Sequence, residues 1–144
     1  LYSVLAHLSI STFGEAAWSL RLPACIFGIA SVIMVYVLGT QVLARIEAWA
    51  AAAVLAVSYH HIWFSQNARG YTMLACLTVV STALLLRGLR SGRTGYCVGY
   101  GITAALGAYT HLTMVFVVYA LVDVARPHDL AAPGPGSTAA PATR

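Results

Sequence analysis

The sequence has no lysine and very little charge of either sign. Of its 144 residues 8% are charged and 60% are hydrophobic, and its basic residues are eight arginines against four acids. A soluble domain carries about 25% charged residues, so this composition excludes an ordinary water-exposed surface and favours the bilayer as solvent. The net charge of +4 is small and no basic-aromatic patch accompanies it. We therefore expect membrane lipids as the surroundings and no nucleic-acid partner.

Cysteine is scarce, and the three present, Cys25, Cys76 and Cys97, form no Cys-x-x-Cys pair. We interpret them as small apolar residues in or beside apolar segments. His60 and His61 are adjacent, so on a helix their side chains point about 100° apart and do not readily share one metal ion. Hydrogen bonding near the membrane interface is the favoured interpretation of this pair. No metal site is predicted in the chain.

Long apolar runs predict an all-α fold, a polytopic bundle of transmembrane helices. Residues 1–10 are expected to be the end of a partial helix, and because the chain starts inside this run without methionine, we expect a fragment of a longer protein. About 20 apolar residues cross a bilayer core of about 30 Å. On this criterion four full spans are predicted, at residues 23–43, 48–64, 71–86 and 96–122. Residues 48–64 are at the lower limit of length, so a re-entrant segment stays open there.

The composition changes after residue 125. Residues 126–144 are rich in proline, glycine and alanine and are predicted to form a disordered tail, because they have little to bury in a core. The membrane domain is therefore expected at residues 1–125. Pro23 is expected in the first turn of its helix, where proline is tolerated.

The distribution of arginine predicts an orientation. The turn with Arg45 and the turn from Arg87 to Arg93 would share one side of the membrane, and the connectors at 11–22 and 65–71 the other. Arginine in short loops is retained in the cytoplasm, so we expect a cytoplasmic Arg87–Arg93 turn and an extracytoplasmic 65–71 loop. A multi-pass protein of the bacterial plasma membrane is the expected setting.

Polar side chains collect in residues 63–71, which separate two apolar runs and contain Arg69 and Tyr71. His111 lies about 15 residues into the predicted 96–122 helix and therefore in its outer half, where it and Tyr109 would approach the same cavity as Arg69. An ionisable residue inside a membrane suggests a functional site. The alternatives also stay open, namely a neutral, hydrogen-bonded His111 and arginines that only anchor helices at the interface.

Three sequence elements carry a resemblance. Residues 13–28 fit the pattern F-G-x-x-x-W-x-x-R-L-P-x-x-x-F-G, residues 65–71 fit S-Q-x-A-R-x-Y, and Tyr109-Thr110-His111 follows in the next long run. In this order they resemble the polyprenyl-phosphate-sugar-dependent glycosyltransferases of the GT-C fold, glycosyltransferase family 39. Protein O-mannosyltransferases and aminoarabinose transferases are related to this family.

The resemblance implies part of an integral-membrane enzyme that moves a sugar from a polyprenyl-phosphate carrier to an extracytoplasmic acceptor. The family's catalytic acid lies in a loop upstream of Leu1, so no catalytic residue is implied in this chain, Glu15 included, and the chain alone is expected to be inactive. A divalent metal ion is left open for the full-length enzyme. The residues implied to contact carrier phosphate or substrate are Arg69, Tyr71, Gln66, His111, Tyr109 and Arg21.

Two other classes compete with this interpretation. A transporter or scaffold subunit would use Arg69 and His111 for ligand or partner contacts, and an inactive gene remnant would use neither. A transporter favours paired broken helices or internal symmetry, and the sequence predicts neither of them.

Overall fold

The computed structural model describes residues 1–125, and over this range the chain forms helices and no strand. The all-α prediction is confirmed for these residues, whereas the predicted tail at 126–144 lies outside them. The described helices, in chain order, are α1 (Tyr2–Phe13), α2 (Ala17–Val42), α3 (Arg45–Val57), α4 (Tyr59–Gln66), α5 (Tyr71–Ser91), α6 (Thr94–Thr110) and α7 (Met114–Val124).

Helices α2 and α5 form the centre of the bundle. They are 26 and 21 residues long with mean hydropathies of 2.2 and 1.7, and within residues 1–125 they are the two helices able by length and composition to cross a membrane. At about 1.5 Å per residue both exceed the thickness of a bilayer core. Large side chains such as Ile29 and Ile33 of α2 remain exposed. Such an apolar surface suits hydrocarbon better than water.

The start of α2 differs from the prediction. The helix begins at Ala17, so Pro23 is its seventh residue and lies inside it. Because proline has no N–H, the carbonyl of Ser19 loses its helical donor. The Ser9 hydroxyl of α1 donates to that carbonyl at 2.6 Å. Helix α1 therefore docks on α2 partly through a backbone group that Pro23 leaves free.

The predicted span at 48–64 is corrected to two helices. Helix α3 ends before Ser58, whose backbone is extended with φ −65° and ψ 122°, and α4 starts at Tyr59. Both pieces pack on glycines of α2. A Cβ added to Gly39 would lie 2.9 Å from the Cβ of Ala48, and one added to Gly28 would lie 2.3 Å from the Ser65 hydroxyl. Close approach at these glycines holds the interrupted helix against α2.

The predicted span at 96–122 is also corrected. Helix α6 ends at Thr110, His111 is extended with φ −155° and ψ 128°, and α7 begins at Met114. Met114 is fully buried, and its Cγ would lie 2.6 Å from a Cβ added to Gly107. Seven residues of continuous helix span about 10.5 Å, so this contact requires the chain to turn back. His111 consequently lies at a break and not within a helix.

The connectors gather in two groups at opposite ends of the bundle. At one end the α2–α3 and α5–α6 turns meet, where the Arg90 guanidinium donates to the Gln41 carbonyl. At the other end the α4–α5 turn approaches the end of α6, since a Cβ on Gly70 would lie 3.2 Å from the Thr110 methyl group. This grouping agrees with the parity predicted from the sequence, although two of the four expected spans are interrupted.

Candidate functional site

A cleft of about 390 Å³ opens where the α4–α5 turn meets the start of α1 and the α6–α7 break. We call it the arginine cleft. Three short segments line it, residues 1–3, 68–71 and 110–111. The cleft thus brings together three of the six candidate residues, Arg69, Tyr71 and His111, from parts of the sequence about 40 residues apart.

A tight turn positions Arg69. The Asn67 side chain donates to the Trp63 carbonyl at 3.0 Å, which satisfies an otherwise free acceptor in the last turn of α4. The Arg69 amide then donates to the Asn67 carbonyl at 2.7 Å. Gly70 follows as the residue preceding α5, and its missing side chain lets the turn lie close to Thr110.

The location of Arg69 is unfavourable for helix stability and favourable for an anion. It precedes the N-terminus of α5 by two residues, where the helix dipole is positive and disfavours another cation by about 0.3–1 kcal/mol. The same dipole and the free amides of the first turn attract anions. Among residues 1–125, no carboxylate lines the arginine cleft. The cleft therefore combines a permanent cation with a helix N-terminus, a combination suited to phosphate oxygens.

Aromatic rings hold Tyr71 from two sides. Its ring centroid lies 5.2 Å from that of Phe64 and 5.7 Å from that of His111. These separations fall in the range in which tilted aromatic pairs attract each other. Tyr71 therefore links the end of α4 to the α6–α7 break and fixes the ring of His111 beside the cleft.

The tautomer of His111 follows from its local hydrogen bonds. The Thr113 amide donates to Nδ1 at 3.3 Å, and the Thr113 hydroxyl lies 2.7 Å from the same nitrogen. Because an amide N–H can only donate, Nδ1 accepts, and the neutral ring carries its proton on Nε2. His111 therefore has an Nε2–H donor that Thr113 does not use.

The other three candidates lie elsewhere. Gln66 lines a separate cleft of about 420 Å³ between α2 and α4. Tyr109 is 71% exposed and Arg21 is also exposed, and neither lines the arginine cleft. Their predicted substrate contacts gain no support from the geometry of this cleft.

Several residues of the site were not predicted. Tyr2 and Ser3 line the cleft from α1, and Thr113 orients His111. No pattern in the sequence marks Tyr2 or Ser3, because their proximity arises from the docking of α1. The signal for Thr113 in the sequence was a hydroxyl residue two positions after a histidine. This pattern is too common to predict a role for Thr113. Within residues 1–125 no group of three His, Cys, Asp or Glu side chains is arranged to hold a metal ion.

The fold and the cleft define a helical membrane protein with a cationic site at one end of the bundle. The family model described as dolichyl-phosphate-mannose-protein mannosyltransferase matches residues 1–127, which include every described helix. This places the chain among the GT-C-like membrane glycosyltransferases. It belongs to the dolichyl-phosphate-mannose-protein mannosyltransferase family. No curated protein and no solved structure matches the chain significantly.

Proposed function

We propose that this chain forms the carrier-binding part of a glycosyltransferase that uses a polyprenyl-phosphate-linked sugar, and that the arginine cleft holds the carrier phosphate. The observation that carries the proposal is the convergence of Arg69, the N-terminus of α5 and His111 on one cleft, which no carboxylate of the described part of the chain lines. The description of the family names a dolichyl-phosphate donor, which supports the same chemistry. Assignment to glycosyltransferase family 39 is part of this proposal.

The proposed roles follow from the charge that develops during transfer. When the sugar leaves its carrier, negative charge grows on the phosphate oxygens, and prearranged donors lower the barrier. Arg69 supplies two parallel N–H donors that match phosphate geometry. His111 adds its Nε2–H, and Tyr71 keeps that ring in place. Gln66, Tyr109 and Arg21 have no role in this phosphate site.

We place the cleft on the extracytoplasmic side of a multi-pass membrane domain. Arg90 and its neighbours Arg87 and Arg93 lie at the opposite end of the bundle, which the positive-inside rule assigns to the cytoplasm. The acid that activates the extracytoplasmic acceptor is proposed to come from outside the described residues, since none of the carboxylates within residues 1–125 lines the arginine cleft. The chain alone is therefore expected to bind carrier without transferring sugar.

Binding of undecaprenyl phosphate to the detergent-solubilised chain tests the phosphate site. Arg69→Ala should weaken binding at least tenfold, because a hydrogen bond to a charged group contributes about 1.5–3 kcal/mol and each factor of ten corresponds to about 1.4 kcal/mol. Arg69→Lys should recover part of the loss, since it keeps the charge without the bidentate geometry.

The matched control is Arg87→Ala, which removes an exposed arginine at the opposite end of the bundle and should leave the affinity unchanged. Equal affinities of the wild type and Arg69→Ala would remove the basis for this assignment. A loss of equal size in both variants would indicate general charge attraction and would also contradict a specific site.

One observation favours a transporter as a second candidate. The fold contains two interrupted helices, α3–α4 and α6–α7, whereas the sequence predicted none. In transporters both interruptions border the substrate site. Here the α6–α7 break borders the arginine cleft, while Ala56 and His61, on either side of the break at Ser58, line the cleft between α2 and α4. Because the two breaks border different clefts, the transferase is the favoured function. Transport of a solute into proteoliposomes that depends on polyprenyl phosphate would instead favour a transporter.

A further inference from the structure

A second polar cleft adjoins the arginine cleft and has no role in the phosphate site. It has a volume of about 500 Å³ and is lined by residues of α1, the α1–α2 connector and the α4–α5 turn. We call it the glutamate cleft, after Glu15. Tyr2, Ser3 and Ala68 line both clefts, so the two spaces adjoin along a wall that these residues share.

The connector holds Glu15 in a fixed place. Gly14 has φ 88° and ψ 170°. Residues other than glycine rarely adopt this conformation. The hydroxyl of the fully buried Ser19 lies 2.7 Å from the carbonyls of both Gly14 and Ala16 and accepts from the Ala16 amide at 3.2 Å. The residues on both sides of Glu15 are thus tied to one buried side chain, which restricts where its exposed carboxylate can lie.

The polar groups of the glutamate cleft suit a ligand rich in hydroxyl groups. Glu15 offers carboxylate acceptors, and His7 and Ser3 can each donate or accept. The Tyr2 hydroxyl donates to the Leu20 carbonyl at 3.0 Å, so its oxygen keeps lone pairs for a ligand donor. None of the arginines that the structure describes lines this cleft, which makes it a poor site for a second phosphate.

We propose that the glutamate cleft holds the sugar of the polyprenyl-phosphate donor, with Glu15 and His7 bonded to its hydroxyl groups. The proposal rests on the proposed function, because it takes the phosphate to lie in the arginine cleft. The anomeric carbon of the sugar is bonded to a phosphate oxygen, so the sugar must occupy space next to the phosphate. Because the two clefts share a wall, the glutamate cleft provides this space next to the phosphate. The Glu15 carboxylate itself does not line the arginine cleft.

Two carriers, one with and one without the sugar, test this assignment on the detergent-solubilised chain. Dissociation constants are measured for undecaprenyl phosphate and for undecaprenyl phosphate mannose. Because the charge difference between the two carriers is the same for every variant, the change of their ratio between variants reports the sugar contacts. We expect the wild type to bind the mannosyl carrier about tenfold more tightly, and both Glu15 and His7 contribute to this ratio. Glu15→Ala should lower the ratio to about two- to threefold, which is the part that His7 provides. Glu15→Gln should leave about fivefold, since neutral hydrogen bonds are about half as strong as charge-assisted ones.

His7→Ala should lower the ratio about two- to threefold, as expected for one neutral hydrogen bond. The matched control is Glu47→Gln, at the opposite end, where the side chain caps α3 by accepting from the Ala44 amide at 3.0 Å and an amide oxygen can replace it. This control should keep the full tenfold ratio. Affinity for undecaprenyl phosphate alone should stay unchanged in the Glu15 variants, which verifies that they fold.

The two proposals fail separately. A tenfold ratio that persists in Glu15→Ala would overturn the sugar site, whatever Arg69 does. The expected fall of the ratio in Glu15→Ala, together with unchanged binding of the bare carrier by Arg69→Ala, would support the sugar site and refute the phosphate site as assigned.

Discussion

The two ends of the bundle use arginine in opposite ways. At the end with the α2–α3 and α5–α6 turns, Arg90 donates to the carbonyl of Gln41 in the last turn of α2, where free carbonyls and the negative end of the dipole favour a cation. At the end with the arginine cleft, Arg69 stands beside the positive N-terminus of α5. Charge count alone does not distinguish these arginines.

The turns between helices also differ between the two ends of the bundle. At the Arg90 end the helices are capped by residues of the turns themselves. Glu47 caps α3, and Gly92 ends α5 in the left-handed conformation with φ 63°. At the cleft end the chain turns at Gly14, next to Glu15 of the glutamate cleft, and breaks at His111, which lines the arginine cleft. Local stability explains one end, whereas ligand binding is the better explanation of the other.

The largest difference between the two ends is expected when one glycine at each end is substituted. Gly39→Ala, facing Ala48 at 2.9 Å, and Gly107→Ala, facing the Met114 Cγ at 2.6 Å, should each destabilise the fold by about 1–3 kcal/mol through overpacking. Only Gly107→Ala should also weaken binding of undecaprenyl phosphate by the folded protein, because it disturbs the turn that carries His111. Thermal unfolding in detergent and carrier titration measure the two effects.

Gly101→Ala is the control, because a Cβ at that position of α6 meets nothing within 4 Å. It should be neutral or slightly stabilising, since alanine favours helix over glycine. If Gly39→Ala weakened carrier binding as much as Gly107→Ala, the functional difference between the two ends would not hold.

A smaller effect is expected from the residue that orients His111. Thr113→Val removes the hydroxyl that lies 2.7 Å from Nδ1 and keeps the amide, so carrier affinity should fall two- to threefold, as for one neutral hydrogen bond. Thr113→Ser should behave as the wild type. Nitrogen NMR of the labelled imidazole should detect Nε2 protonation in the wild type and also in Thr113→Val, because the amide that donates to Nδ1 remains. Protonation at Nδ1 in the wild type would contradict the assignment.

The sequence predicts the continuous helices better than the interrupted ones. Helix α2 follows from an apolar run long enough for a membrane, although Pro23 was expected in the first turn and lies inside α2. Helix α5 starts where its predicted apolar run starts and continues beyond residue 86 to Ser91. The breaks at Ser58 and His111 escape prediction because hydrophobic composition continues on both sides of them. What determines the second break is the packing of Met114 against Gly107, a contact that hydropathy does not record.

The candidate site was also predictable only in part, because some of its contacts depend on how the helices pack. Arg69, Tyr71 and His111 stand out as polar residues between apolar runs, and the structure brings them together. Tyr2 and Ser3 join them because α1 docks on α2 through Ser9 and the carbonyl that Pro23 leaves free. The sequence contains each of these residues, but their contact depends on the crossing of two helices.

Side-specific labelling of single cysteines tests the central claim, that the arginine cleft faces outward and holds the carrier. Ser3→Cys, in the wall between the two clefts, and Ser91→Cys, exposed at the end of α5, are each made in a chain whose three native cysteines are alanine. We predict that a membrane-impermeant maleimide labels Ser3→Cys in intact cells and that undecaprenyl phosphate slows this labelling. Ser91→Cys should react only after permeabilisation, with no protection by the carrier. Protection of Ser91→Cys, or labelling of Ser3→Cys only from the inside, would contradict the account.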